Sequence, residues 1–432
     1  MAGFDAPRVS RRQRLAQTRA YRAVLRRLTP DMLSVPQSPA LSNNRFSNVP
    51  LPAEVIVYFP DDATKLYQLE QWLPVFQVLH ERCPVLLVTR NLGSFRLLQD
   101  QPLPLVFVRR LQDLNHVLQR TDARACLYVN NSSSNFQVLS WSRALHLHLN
   151  HGESDKISMA SNQAKAYDHV LVAGPAAVTR YTDNLLQFDS SKLVHVGRPQ
   201  LDLTFAPTLP PVAQPTVLYA PTWEGETPAM NYTSLVRFGP RLVASLLEDG
   251  FRVVYKPHPK IVTGSPDALQ AHEAVCQLLT RANADVPQDQ HNLVELARPI
   301  LSLFDACDVL VSDVSSVALD WLFLRTEAPL WLTDTRDDPS ALVDASPLAA
   351  QTHVLSYAGL TDVAQALRKS MQDEEMAGRR TAARNFYFGD LERGESTELF
   401  LATITEAVER CRRLLGERHG DHHDFDMAAG VS

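Results

Sequence analysis

A chain of 432 residues is too long for one ordinary hydrophobic core, so two domains are the natural expectation. With 45% apolar and 21% charged residues it has the composition of a folded globular protein, which excludes a disordered chain. A formal charge of -6 supplies no global positive field for phosphate backbones, which excludes nucleic acid as the main partner.

In chain order, the first segment, 1–52, is set apart by charge. From Arg8 to Leu28 it carries eight arginines and no acid. Tyr21, Val24, Leu25 and Leu28 follow i, i+3, i+4, i+7 spacing, which gives one apolar stripe on a basic helix. Such a helix suits either an anionic membrane surface, met by arginines from Arg8 to Arg27, or a solvated position on the protein body. Its first thirty residues lack the continuous apolar stretch of a secretory signal, and residues 30–52, rich in Pro, Ser and Asn, read as a loop.

Residues 54–59 (EVIVYF), 84–89, 103–109, 126–130, 145–150, 169–173 (HVLVA) and 193–196 are expected strands, with a helical pattern over 65–80. This alternation fits a mainly parallel sheet whose strands are buried on both faces. Four prolines in the ten residues 206–215 (APTLPPVAQP) make a stiff, extended linker. A second series follows, with strands expected at 217–219, 252–256, 309–312 and 330–333. The expected fold class is α/β, with two facing Rossmann-like domains, 53–205 and 216–396, across a central cleft. Helical periodicity over 397–415 suggests a helix packing back on the first domain, and 416–432 reads as a disordered tail.

Five cysteines (Cys83, Cys126, Cys276, Cys307, Cys411) are scattered and show no metal-ligand spacing. Neither a disulfide framework nor a metal site is expected, and a reducing, cytoplasmic compartment fits. No window approaches the roughly 18 uninterrupted apolar residues of a membrane span.

Four strand ends carry the chemistry. In DVLVSDVSSVALDWLF an apolar strand ends at Ser312-Asp313, and Ser315-Ser316 open an apolar-periodic helix. The two serines are expected either to cap that helix or to leave its N–H groups and dipole for an anion. In VVYKPHPK a strand runs into Lys256-Pro257-His258-Pro259-Lys260, where two prolines exclude helix and fix His258 between two cations. Imidazole and ammonium groups there suit a pyrophosphate whose leaving group gains charge. HLHLNHGESDK places His151 and Gly152 at a strand end, with Glu153 and Lys156 just beyond. His151 is read equally as a base for an acceptor hydroxyl and as a capped loop histidine. LYAPTWEG puts Thr222, Trp223 and Glu224 at the cleft edge, with Trp223 either lining a pocket or belonging to the core.

The set His151-Gly152 with Lys156, YAPTW at 219–223, KPHP at 256–259, SD-x-SS at 312–316 and APLWLTD at 328–334 resembles, in this order, the CDP-glycerol glycerophosphotransferases of teichoic acid and capsule synthesis. The likeness spans roughly 145 to 400. It implies a GT-B-like fold with the acceptor on the first domain and the nucleotide donor on the second. It implies transfer of glycerol phosphate, or a related polyol phosphate, from a CDP-linked donor to a hydroxyl of a cell-envelope glycan or lipid-linked acceptor, with release of CMP and no cofactor. Members are typically peripheral to the inner face of the membrane. By this resemblance His151 is the base, and His258 holds the pyrophosphate. Lys256, Lys260, Thr222, Ser312, Ser315 and Ser316 are the further donor-side residues, and Asp313 orders their loop. A GT-B glycosyltransferase or epimerase using a UDP-sugar and a non-catalytic GT-B binding module are the alternatives. Two departures stand out. Glu153-Ser154-Asp155 replaces a Thr-Pro-Leu-like run, and Glu224 replaces a commonly basic residue. Carboxylates so near an anionic donor repel it unless basic groups or hydroxyls engage them.

Overall fold

The computed structural model describes residues 50–206, 209–225, 227–284 and 286–428. The arginine-rich stretch lies outside them. Strands β1 (Val55–Phe59), β2 (Val85–Thr89), β3 (Leu105–Phe107), β4 (Ala125–Tyr128), β5 (Leu145–His148), β6 (His169–Val172) and β7 (Leu193–His195) form one sheet in the order β3-β2-β1-β4-β5-β6-β7. Every pairing in it is parallel. Sequences such as VIVYF in β1 and VLLVT in β2 are buried at every position, as a sheet covered on both faces requires.

A second parallel sheet holds β8 (Thr216–Ala220), β9 (Arg252–Tyr255), β10 (Leu293–Val294), β11 (Val309–Ser312), β12 (Leu330–Thr333) and β13 (His353–Leu355), in the order β10-β9-β8-β11-β12-β13. The two edge strands, β10 and β13, were not expected from the sequence. They are two and three residues long and only partly buried, so no apolar run announces them. In each sheet the order reverses once, between β1 and β4 and between β8 and β11. The carboxyl ends at such a reversal leave a crevice for ligands.

The helical pattern at 65–80 resolves into Tyr67–Glu70 and Leu73–Arg82. Pro74 lies in the first turn of the second helix, where its missing N–H costs nothing. Towards the other end of the chain one helix runs Glu395–Ala428, beginning before the expected start and extending into the stretch read as a disordered tail, whose last residues, 429–432, lie outside the described ones. No proline interrupts it. Its Phe400, Leu401, Ile404 and Val408 are buried in the core under the first sheet, with Trp72 and Phe76. The Trp72 and Phe400 rings lie 5.4 Å apart, and each large side chain so buried contributes about 1.5–3 kcal/mol.

The two lobes also touch where helix Glu374–Phe388 reaches helix Pro175–Asn184. Gly174, just before the latter, meets the former so closely that a Cβ there would stand 2.8 Å from the Cα of Phe388. Only glycine admits that approach. Among the described residues no helix is long and apolar enough to cross a membrane.

Candidate active site

Asp313 follows β11 directly and is wholly buried. One carboxylate oxygen accepts from the N–H groups of Thr222 (2.7 Å) and Ser234 (3.2 Å), and the other accepts from the Thr333 hydroxyl (2.6 Å). Burial pushes this carboxyl up, and the hydrogen bonds pull it back. Asp313 thereby ties the ends of β8, β11 and β12 together. Ser312 is equally buried; its hydroxyl donates to the carbonyl of Ala220 at 2.8 Å and lies 3.2 Å from Ser315 Oγ. Ser312, expected among the ligand contacts, therefore has its hydroxyl committed inside the loop. Helix Ser316–Leu324 starts beyond Ser315, and no side chain caps it. Capping, the simpler expectation for the two serines, does not occur, so the first N–H groups and the positive end of the helix dipole have no side-chain acceptor.

The KPHPK turn follows β9, whose neighbour β8 stands between it and β11. Lys256 N–H bonds the carbonyl of Tyr219 at 2.9 Å, and His258 N–H bonds that of Pro221 at 3.2 Å, so the turn is strapped to the end of β8. Lys260 N–H donates to His258 Nδ1 at 3.1 Å. A neutral His258 then carries its proton on Nε2. Trp223 is half-buried against the core of the second lobe, with Lys260 Nζ 3.8 Å and the His258 ring 6.2 Å from its ring centroid. Burial brings the Lys256 amine down to about 8. Glu224 turns away, accepting from the N–H (3.0 Å) and hydroxyl (2.6 Å) of Ser265, the N-cap of helix Pro266–Ala282.

From the first lobe, β5 ends at His148, whose Nε2 bonds Asn150 Oδ1 at 3.0 Å. Asn150 has a φ of 58°, and its carbonyl accepts from Trp72 Nε1 at 2.7 Å. That left-handed corner, which Asn tolerates, delivers His151 to the cleft. Tyr67 stands edge-on to both histidines, 6.0 Å from His151 at 89° and 5.4 Å from His258 at 83°. Histidines from opposite lobes thus meet on one phenol ring. Beside them Lys156 Nζ donates to Thr222 Oγ1 at 3.2 Å. A Cβ on Gly152 would lie 3.1 Å from Ser316 Cβ and 3.4 Å from Arg198 Nη1, so the strand end and the helix start nearly touch.

The departures in HGESDK are engaged by basic and hydroxyl groups. Glu153 pairs with Arg180 of helix Pro175–Asn184, and Asp155 meets the same guanidinium at 3.1 Å. The other Asp155 oxygen accepts from Ser346 (2.7 Å) and from Tyr387 in the second lobe. A second link between the lobes is a buried ion pair, Arg198 with Asp320, in which Arg198 also donates to Gln71 at 3.1 Å.

Burial, reinforced by neighbouring cations, drives both histidines down to about 3. For His151 the cations are led by Arg198, and for His258 by Lys156 and Lys260. Both rings are neutral at pH 7. The unfolded chain, with ordinary values of 6.5, binds more protons below that pH. The stability the neutral rings contribute is complete above about pH 6.5 and is lost as the pH falls towards 3. Urea unfolding should show wild-type stability falling more steeply from pH 6.5 to 4 than that of a His151→Gln/His258→Gln variant; parallel curves would contradict the assignment.

A family model described as CDP-glycerol:poly(glycerophosphate) glycerophosphotransferase matches residues 123–404, well over half of the chain. The chain belongs to that family. Every strand-end residue singled out from the sequence of this glycerophosphotransferase, from His151 to Ser316, lies inside the match, whereas Tyr67 lies before it. No curated protein matches by sequence. Among solved structures, the wall teichoic acid polymerase TagF aligns with a TM-score of 0.53 at 12% identity, over 92% of this chain and 95% of its own. A putative UDP-N-acetylglucosamine 2-epimerase from Listeria monocytogenes reaches 0.56 at 11% identity, over 83% and 98%. At such identities the likeness is one of fold, and the fold of the glycerophosphotransferase is GT-B-like.

Proposed function

We propose that this glycerophosphotransferase moves glycerol phosphate, or a related polyol phosphate, from a CDP-linked donor to a hydroxyl of a cell-envelope glycan or lipid-linked acceptor, releasing CMP. The observation that carries this reading is the meeting of His151 and His258 on Tyr67, beside Lys156 and Lys260 and the uncapped start of helix Ser316–Leu324. The donor diphosphate lies against the N–H groups at Ser315 and Ser316, with Lys156, Lys256, Lys260 and the Nε2–H of His258 around it. His151 takes the proton of the acceptor hydroxyl. The freed oxygen attacks the β-phosphorus, a new P–O bond forms, and the bond to the bridging oxygen breaks, its electron pair leaving on CMP. Lys156 and Lys260, which add to burial and to Arg198 in holding His151 down, are among the cations a diphosphate neutralises, so the ring gains some basicity when the donor arrives.

A structurally similar TagF variant carries CDPG after soaking, which supports a CDP-linked donor here. The test is CMP release by the purified protein from CDP-glycerol, CDP-ribitol and UDP-sugars with hydroxylated acceptors. Turnover of a CDP-polyol is expected. Turnover of a UDP-sugar alone would replace this reading with a glycosyltransferase or epimerase.

A further inference from the structure

A cavity of about 20 Å³ lies at the carboxyl ends of β5, β6 and β7, in the wall of the same cleft. Asn150, Gly152, Glu153, Arg198 and Gln200 are among its lining residues. The volume suits one group little larger than a water. Most polar atoms there are already engaged. Asn150 bonds His148 and Tyr181, Glu153 meets Arg180, and Arg198 holds Gln71 and Asp320. Gln200 is the exception. It is 2% exposed, and neither its amide nitrogen nor its amide oxygen has a hydrogen-bond partner among the described residues. Arg198 Nε is likewise buried without one.

A buried primary amide satisfied at neither end is rare, because its desolvation goes uncompensated. The complement to such an amide is a group that both donates and accepts. A hydroxyl does this; a phosphate oxygen only accepts and an ammonium only donates. With Glu153 and Asp320 each facing an arginine, the lining is close to neutral, which also favours an alcohol over an ion. Gly152, in its lining, lies within van der Waals reach of Ser316 at the helix end proposed to hold the diphosphate.

We infer that Gln200 and Arg198 Nε form the subsite for a hydroxyl of the polyol carried on the donor, and that its size selects a glyceryl group over longer polyols. This inference rests on the reading under Proposed function. A glyceryl group bound at phosphate next to Ser316 has two hydroxylated carbons, and its terminal one is the group to place here. A five-carbon chain would drive further carbons against Leu149, Leu171 and Trp72, which close the cavity.

The experiment compares kcat/KM for CDP-glycerol and CDP-ribitol on one acceptor, together with the Kd of CMP, which lacks the polyol. Wild type should favour CDP-glycerol by at least about tenfold. Gln200→Leu keeps the volume and removes the amide; it should raise the CDP-glycerol KM about tenfold with the CMP Kd unchanged. Gln200→Ala opens the cavity and should bring the two donors within about threefold of each other. Normal CMP binding shows that each variant is folded. Equal use of both donors by wild type, or Gln200 variants with unaltered KM and donor ratio, would overturn the subsite. Wild type that binds CMP yet turns over no CDP-polyol would overturn the transferase reading, and the subsite with it.

Discussion

His151→Ala is expected to lower kcat for transfer from CDP-glycerol by about 10²–10⁴-fold, the range for loss of a positioned base, while the donor Kd stays near wild type. His258→Ala should depress kcat similarly and also weaken donor binding, because this ring, held by Lys260 N–H at Nδ1, is proposed to present its Nε2–H to the diphosphate. The asymmetry follows from which lobe supplies each ring. His151 arrives on the end of β5, in the lobe proposed to take the acceptor, and His258 on the turn after β9, in the lobe proposed to hold the diphosphate. CMP release and calorimetric donor binding separate the two. If His151→Ala kept a kcat within tenfold of wild type, proton removal by that ring would be refuted.

The second large effect concerns stability. Arg198 is 5% exposed and Asp320 1%. Truncating one member of such a pair strands a charge in a medium that cannot solvate it, at a cost of about 3–5 kcal/mol. Arg198→Ala should show that loss in urea unfolding. Arg198→Met combined with Asp320→Leu should recover most of it, since a well-packed apolar pair of similar volume is often no worse than an ion pair. The double variant should nonetheless transfer poorly, because Arg198 stands beside Gly152 and Ser316 where the lobes meet. A cost below about 1 kcal/mol for Arg198→Ala would mean that water reaches the pair.

Much of this arrangement was legible in the sequence. Buried parallel strands are apolar runs ending in polar residues, and the polar residues after the strands make up the candidate site. His151, His258 and Ser316 were singled out that way, shortly after the runs LHLHL, RVVY and DVLVS. Serine at a helix start has two uses, and periodicity cannot say which one applies; only the lack of a cap bond at Ser315 separates them. Glu224 illustrates the opposite failure. It follows the YAPTW motif, yet its carboxylate faces Ser265 forty-one positions away, a partner no local pattern announces. Tyr67 was missed because it lies in a short four-residue helix with little apolar periodicity. Arg198 and Asp320 left a signal that was overlooked. A lone acid within VALDWLF, an otherwise apolar helix, demands a buried cation.

The helix Glu395–Ala428 has a bearing on how the molecule is made. It fills the underside of the first sheet although the whole second sheet intervenes in sequence. During synthesis the earlier half therefore emerges with a greasy trough exposed around Trp72 and Phe76, and must wait for the ribosome to deliver its lid. Chaperone capture of nascent chains should concentrate in that interval. A fragment cut between the lobes is not a miniature of the first lobe but a sheet with one face open to aggregation.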